Sequence, residues 1–137
     1  MPGSSLWLVP PEDSELYKTC HELILKHVPA VYPVALPPHF TPHVTLTADT
    51  LTRDLDLSQA QKWLDAIDLP DTGGLTMAIQ DVEVGSVFFK KITMRCAKGP
   101  ALGALAATCR AAAVDGLGKH GAHRWVEESY APHLSLM

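Results

Sequence analysis

The sequence contains one five-residue pattern twice, as PHVTL at 42–46 and as PHLSL at 132–136. Each copy places a histidine and a hydroxyl residue two positions apart, with aliphatic residues in between and after them. Successive side chains of a β-strand point to opposite faces of the sheet. Each copy therefore predicts a half-buried strand, with its aliphatic residues in a core and an imidazole beside a hydroxyl on the other face.

The segments around the two copies predict one α+β domain over residues 1–137, with a mainly antiparallel sheet. Strands are predicted at 4–9, 43–48 and 133–137, and a hairpin with a Gly-Ser turn at 75–84 and 87–96. Helices are predicted at 12–28, 58–67 and 100–118. We expect Asp13 or Ser14 to cap the first helix and Pro29 to end it. Ser58 is expected to cap the second, with Trp63, Leu64 and Ile67 facing inward. The segment 118–131 is interpreted as a connection with at most one helical turn.

Charge and cysteine content restrict the class of protein. The net charge is -4, which disfavours binding to an extended nucleic acid through its phosphates. The three cysteines are widely spaced and form no CxxC pair, so we expect a reducing compartment and no disulfide framework. The first residues show neither a signal peptide nor a membrane span, which favours the cytoplasm or the nucleus.

Two imidazoles and two hydroxyls in one groove suit the cleavage of a phosphate ester. A neutral imidazole can take a proton from attacking water while a protonated one gives a proton to the leaving oxygen. The hydroxyls can donate hydrogen bonds to the phosphate oxygens, whose charge grows in the transition state. This scheme needs no metal or other cofactor. It suits a 2',3'-cyclic phosphate best, because the ring already holds the leaving oxygen in place.

The paired His-x-Thr and His-x-Ser patterns resemble the signature of the two-histidine phosphoesterase superfamily. The opening SLWLVPPEDS, a helix and a proline-rich loop into HVTL resemble its fungal and plant cyclic phosphodiesterase branch. The resemblance implies a bilobal fold, with sheets facing across a groove and helices packed outside. It implies the opening of 2',3'-cyclic nucleotides to 2'-phosphates, or of ADP-ribose 1'',2''-cyclic phosphate, a by-product of tRNA splicing.

The same resemblance implies roles for single residues. His133 is expected to be the base that activates water, and His43 the acid for the leaving oxygen. Thr45 and Ser135 are expected to bind the phosphate. On the first strand Trp7 shares a face with Ser5 and Val9, and a core position is favoured for it, whereas the resemblance implies a wall or stacking platform for a base. We expect a monomer that takes a small cyclic-phosphate nucleotide.

Other candidate residues and functions stay open at this point. In FFKK (88–91) one phenylalanine is expected in the core, and the other, with its lysine and Arg95, is a candidate for the groove wall. His39 with His43, and His120 with His123, lack nearby ligands at metal-site spacing, so no metal site is predicted.

Members of the branch continue past the second copy of the pattern, so we expect the C-terminal part of the family fold to be missing. An inactive nucleotide-binding fragment is therefore one alternative. An RNA-end phosphodiesterase or 2'-5' ligase-like enzyme is another, and the acidic charge counts against it.

Overall fold

A computed structural model describes residues 4–32, 40–48, 54–71, 73, 75–85 and 92–137. Five strands form one sheet: β1 (Ser5–Leu8), β2 (Val44–Ala48), β3 (Ile79–Val84), β4 (Ile92–Cys96) and β5 (His133–Ser135). Their spatial order is β1-β2-β5-β4-β3, and every neighbouring pair is antiparallel. The α+β class, the antiparallel sheet and the β3–β4 pairing are therefore confirmed.

The expected division into two facing sheets differs from what the described strands show. They belong to one sheet, and the strands that carry the two motifs, β2 and β5, are neighbours within it. Alternation in the sequence shows which residues share a face of a strand, but it does not show which strands pair. The FFKK segment and His39 lie outside the described residues.

The first helical region begins and ends three residues later than the sequence predicted. Helix α1 (Glu15–Glu22) continues as a π-helical segment (Leu23–His27) and as α2 (Val28–Val31). Ser14 caps α1 by accepting a hydrogen bond from the N–H of Tyr17, as expected. Pro29 does not end the helix, because it lies in the first turn of α2, where a missing N–H costs little.

The remaining helices are α3 (Leu57–Asp65), α4 (Pro100–Ala113) and α5 (Gly118–Glu128). The cap predicted at Ser58 is wrong: Asp56 caps α3 in a reciprocal pair of hydrogen bonds with Gln59. Leu64 is exposed, so its inward position is also wrong. The connection predicted at 118–131 is wrong as well, because α5 runs for 11 residues.

The helices that pack on the sheet cover the same face of it. Cys20 and Ile24, from α1 and the π-helical segment, pack with Val44, Met94 and Leu134. Residues of α4 and α5 pack with Leu46, which shares that face of β2. None of the described helices is long and apolar enough to cross a membrane.

Candidate active site

The register of β2 and β5 brings the two motifs together. Val44 lies directly opposite Leu134, and both side chains are buried. Because the strands are antiparallel, His43 lies opposite Ser135 and Thr45 lies opposite His133. Val44 and Leu134 point to the core, so the residues on either side of them point to the opposite face of the sheet. All four polar side chains therefore lie on the side away from the aliphatic core.

These four side chains occupy the corners of a small quadrilateral. Directly opposed residues of an antiparallel pair have Cβ atoms about 4.5–5.5 Å apart, and diagonal neighbours lie about 7–8 Å apart. His43 and His133 are at diagonal corners, and Thr45 and Ser135 occupy the other two. All four are half-buried. A group bound above the quadrilateral would therefore meet one imidazole on each of two opposite sides.

Both imidazoles are held by the same local contact. Nδ1 of His43 lies 2.6 Å from the carbonyl oxygen of Thr41, and Nδ1 of His133 lies 2.9 Å from that of Ala131. A carbonyl only accepts hydrogen bonds, so Nδ1 carries the proton in each ring and donates it. Each acceptor residue precedes a proline of the motif, which restricts it to an extended backbone. Nε2 of each ring is the nitrogen left for acid–base chemistry.

Trp7 distinguishes the first half of the site from the second. Its ring stacks on His43, with centroids 3.7 Å apart and planes 13° apart. Trp7 lies opposite Thr45 in the β1–β2 register and is 46% exposed. The core position favoured for Trp7 is therefore wrong. Leu6 and Leu8 pack toward the core instead, and the strand register shifts between Leu6 and Trp7.

Tyr130 supports both motif strands, a role that the sequence did not suggest. Its hydroxyl donates a hydrogen bond to the carbonyl oxygen of Thr45 at 2.9 Å, although the residue itself lies just before β5. The side chain is only 8% exposed, and burial raises its pKa well above the ordinary value. The hydroxyl therefore stays protonated and remains a donor. An aromatic residue three positions before His133 was the available signal.

Strand β4 extends the polar face beyond β5. Thr93 lies opposite Ser135, and Arg95 lies opposite His133. Arg95 forms ion pairs with two residues of β3: an Nη2 nitrogen lies 2.5 Å from Oδ2 of Asp81, and Nε lies 3.6 Å from Oε1 of Glu83. Arg95 was a candidate for the groove wall, whereas no sequence pattern indicated Thr93 or the two carboxylates.

The polar site is separate from an apolar cavity on the other side of the sheet, and the described residues offer it no metal cluster. The part of the chain that the structure describes contains no group of three or more His, Cys, Asp or Glu residues that could hold a metal ion. A cavity of about 310 Å³ lies on the aliphatic side of the sheet, lined by residues that include Val44, Cys96 and Leu134. Its apolar lining does not suit a phosphate. Cys20, Cys96 and Cys109 are free and buried, as expected.

Comparison with known proteins gives one consistent result. The family model described as cyclic phosphodiesterase-like protein matches residues 1–137. The 2',3'-cyclic-nucleotide 3'-phosphodiesterase of Phaeosphaeria nodorum is 34% identical over 141 positions, covering 100% of this chain and 69% of that protein. The enzyme of the same name from Neurospora crassa is 30% identical, and the match covers 100% of this chain and 71% of that protein. The enzyme of that name from Eremothecium gossypii is 33% identical, and the match covers 97% of this chain and 64% of that protein.

Proposed function

This chain belongs to the cyclic phosphodiesterase-like protein family, and we propose that it hydrolyses 2',3'-cyclic nucleotides to nucleoside 2'-phosphates. The curated relatives carry the name 2',3'-cyclic-nucleotide 3'-phosphodiesterase, which describes cleavage on the 3' side of the ring. The observation that carries the proposal is the β2–β5 register, in which His43 and His133 lie at diagonal corners around two hydroxyls.

The diagonal arrangement suits an in-line displacement at phosphorus. Water attacks from the side of His133, and its proton passes to Nε2 of that ring. The P–O3' bond breaks on the opposite side, and Nε2–H of His43 gives its proton to the leaving oxygen. The product is a 2'-phosphomonoester with a free 3'-hydroxyl. The division of roles follows the family resemblance, since the two half-sites share the same backbone contact.

Thr45 and Ser135 complete the site as hydrogen-bond donors. Each hydroxyl lies opposite a histidine of the other strand, so each can reach a non-bridging oxygen of a phosphate held between the rings. These oxygens gain charge in the transition state, and a donor held in place stabilises that charge. All four side chains come from one chain, so we propose that a monomer suffices.

The proposal includes the absence of a metal requirement, because the imidazoles themselves supply the acid and the base. The test is hydrolysis of adenosine 2',3'-cyclic phosphate in excess EDTA, with the products separated by chromatography. We expect adenosine 2'-phosphate, and a rate that rises and then falls with pH. ADP-ribose 1'',2''-cyclic phosphate is the second substrate to compare.

Two variants decide whether the histidines do the chemistry. His43→Ala and His133→Ala should each lower kcat by about 10²–10⁴-fold. His120→Ala, on α5, is the matched control and should leave kcat unchanged. Full activity in either motif variant, or a 3'-phosphate as the product, would overturn the proposed mechanism.

A further inference from the structure

Arg95 brings a positive charge next to the proposed phosphate site. It lies directly opposite His133 in the β4–β5 register, so the two side chains share the polar face. The Cβ atoms of opposed residues are about 4.5–5.5 Å apart, and an arginine side chain is long enough to span that distance. Arg95 is the only lysine or arginine within the five described strands.

The present partners of Arg95 do not hold it firmly. Asp81 and Glu83 lie on β3, on the side of β4 away from His133. The side chains of Arg95, Asp81 and Glu83 are 49%, 44% and 56% exposed, respectively. Ion pairs this exposed contribute little to stability, so exchanging one anionic partner for another costs little.

We propose that Arg95 is a substrate-binding residue. When the substrate binds, the guanidinium separates from Asp81 and Glu83 and contacts the phosphate held between His43 and His133. A guanidinium binds two oxygens of a phosphate at once, which suits a site otherwise furnished with neutral hydroxyls. In the free protein the two carboxylates compete with the substrate for Arg95. This inference rests on the proposed function, since it names a further residue of the same site.

Competition predicts opposite effects for the two kinds of substitution. Arg95→Gln removes the cation, and should raise both the KM for a 2',3'-cyclic nucleotide and the Kd for the 2'-nucleotide by about tenfold or more. The double substitution Asp81→Asn with Glu83→Gln releases the guanidinium and should lower both constants. In the Arg95→Gln background the same two substitutions should have little effect, because no guanidinium remains to be released.

The experiment measures kcat and KM for adenosine 2',3'-cyclic phosphate, and the Kd for adenosine 2'-phosphate by calorimetry. It uses the wild type, Arg95→Gln, the double variant and the triple variant. Arg124→Gln is the matched control, because it removes the same charge from α5, on the other side of the sheet. It should change neither constant. Far-UV circular dichroism and urea midpoints check that each variant is folded.

Two results would overturn the inference. One is an unchanged KM and Kd in folded Arg95→Gln. The other is an equal gain from neutralising the carboxylates with and without Arg95, since the carboxylates would then act only by repelling the anion. If the wild type shows no turnover, the proposed function fails. Calorimetry with adenosine 2'-phosphate still tests Arg95 in that case, because it measures binding alone.

Discussion

The proposed mechanism gives the two nitrogens of the His43 ring separate tasks, which one substitution can distinguish. Nδ1 contacts the carbonyl of Thr41, which leaves Nε2 for the proposed acid–base chemistry. Asparagine places an amide N–H close to the position of Nδ1 but has nothing at Nε2. We therefore expect His43→Asn to keep the backbone contact and to lower kcat by about 10²–10⁴-fold.

The free energy of unfolding should distinguish this variant from a simple truncation. His43→Asn should lose only the stacking on Trp7, about 0.5–1.5 kcal/mol of the free energy of unfolding. His43→Ala should be less stable, since it loses the backbone contact as well. Urea unfolding and turnover give the two readouts. Substantial turnover by His43→Asn would show that Nε2 is not the working nitrogen.

Trp7 is expected to position His43 as well as to border the substrate. Stacked aromatic pairs contribute about 0.5–1.5 kcal/mol, so Trp7→Ala should lower kcat by about two- to tenfold. Trp7→Phe keeps a ring against His43 and should retain most of the rate. The measurement compares a 2',3'-cyclic nucleotide with ribose 2',3'-cyclic phosphate, which has no base.

The base-free substrate separates the two roles of Trp7. If Trp7 positions His43, Trp7→Ala should lower kcat on both substrates, because the cleavage of both depends on the orientation of His43. A platform for the base would add a rise in KM for the nucleotide alone. An unchanged kcat on both substrates in Trp7→Ala would contradict the positioning role.

At the level of single residues, the sequence predicted what depends on strand alternation alone. The half-buried state of the four motif side chains follows from the alternation of side chains between the two faces of a strand. The outward position of Trp7 also agrees with this alternation, because Leu6 and Leu8 on either side of it pack toward the core. The position of Tyr130 does not follow from alternation, because a hydrogen bond across 85 residues fixes it, and such a contact leaves no local pattern in the sequence.

Among the elements, helix α5 and strand β5 are linked by Lys98. Its Nζ donates hydrogen bonds to the carbonyl oxygens of Val126, Glu127 and Tyr130, at 2.6, 3.2 and 3.1 Å. These carbonyls lie at the end of α5 and just before β5, where no further helical turn can pair with them. Lys98 therefore fixes the point at which the chain turns into the second motif.

Lys98→Met should loosen this turn. Hydrogen bonds from a charged donor contribute about 1.5–3 kcal/mol, and exposure of the lysine reduces this, so we expect a loss of about 1–2 kcal/mol in the free energy of unfolding. kcat should fall too, because His133 and Ser135 follow directly. Lys62→Met, on exposed helix α3, is the matched control for urea unfolding. Equal midpoints in the two variants would contradict this role.

Helix α5 and the strand order were the elements that the sequence did not predict. Two glycines, at 118 and 121, made the segment look like a connection. Ala122, Trp125 and Val126 nevertheless follow helical spacing, and Ala122 and Val126 are buried. The position of β5 between β2 and β4 depends on backbone pairing between distant segments, which alternation does not encode.

In the molecule as a whole, one face of the sheet packs in the apolar core and the other carries the proposed active site. The two clusters of buried apolar residues include all three cysteines, each 4% exposed or less. The polar face carries the histidines, the hydroxyls and Arg95. Substitutions on the polar face can therefore change turnover with little effect on packing.

The cysteines test how well the aliphatic face is packed. Burial raises the pKa of all three thiols above the ordinary value of 9.0. The unfolded chain therefore loses these protons at a lower pH than the folded chain. Their contribution to stability is fully present below pH 9.0 and is lost as the pH rises from there toward the folded pKa values. The free energy of unfolding should consequently begin to fall as the pH rises above 9.0, which is below the ordinary tyrosine pKa of about 10.

Urea unfolding at several pH values, with thiol labelling alongside, measures this effect. The folded protein should react slowly with a disulfide reagent, and three thiols should react once it is unfolded. Cys109→Ala should be less stable than the wild type at pH 7, because it leaves a small cavity. It should also show a smaller decline at higher pH, since one raised pKa has been removed. Rapid labelling of the folded protein at a rate independent of urea would mean that the aliphatic face is open to solvent.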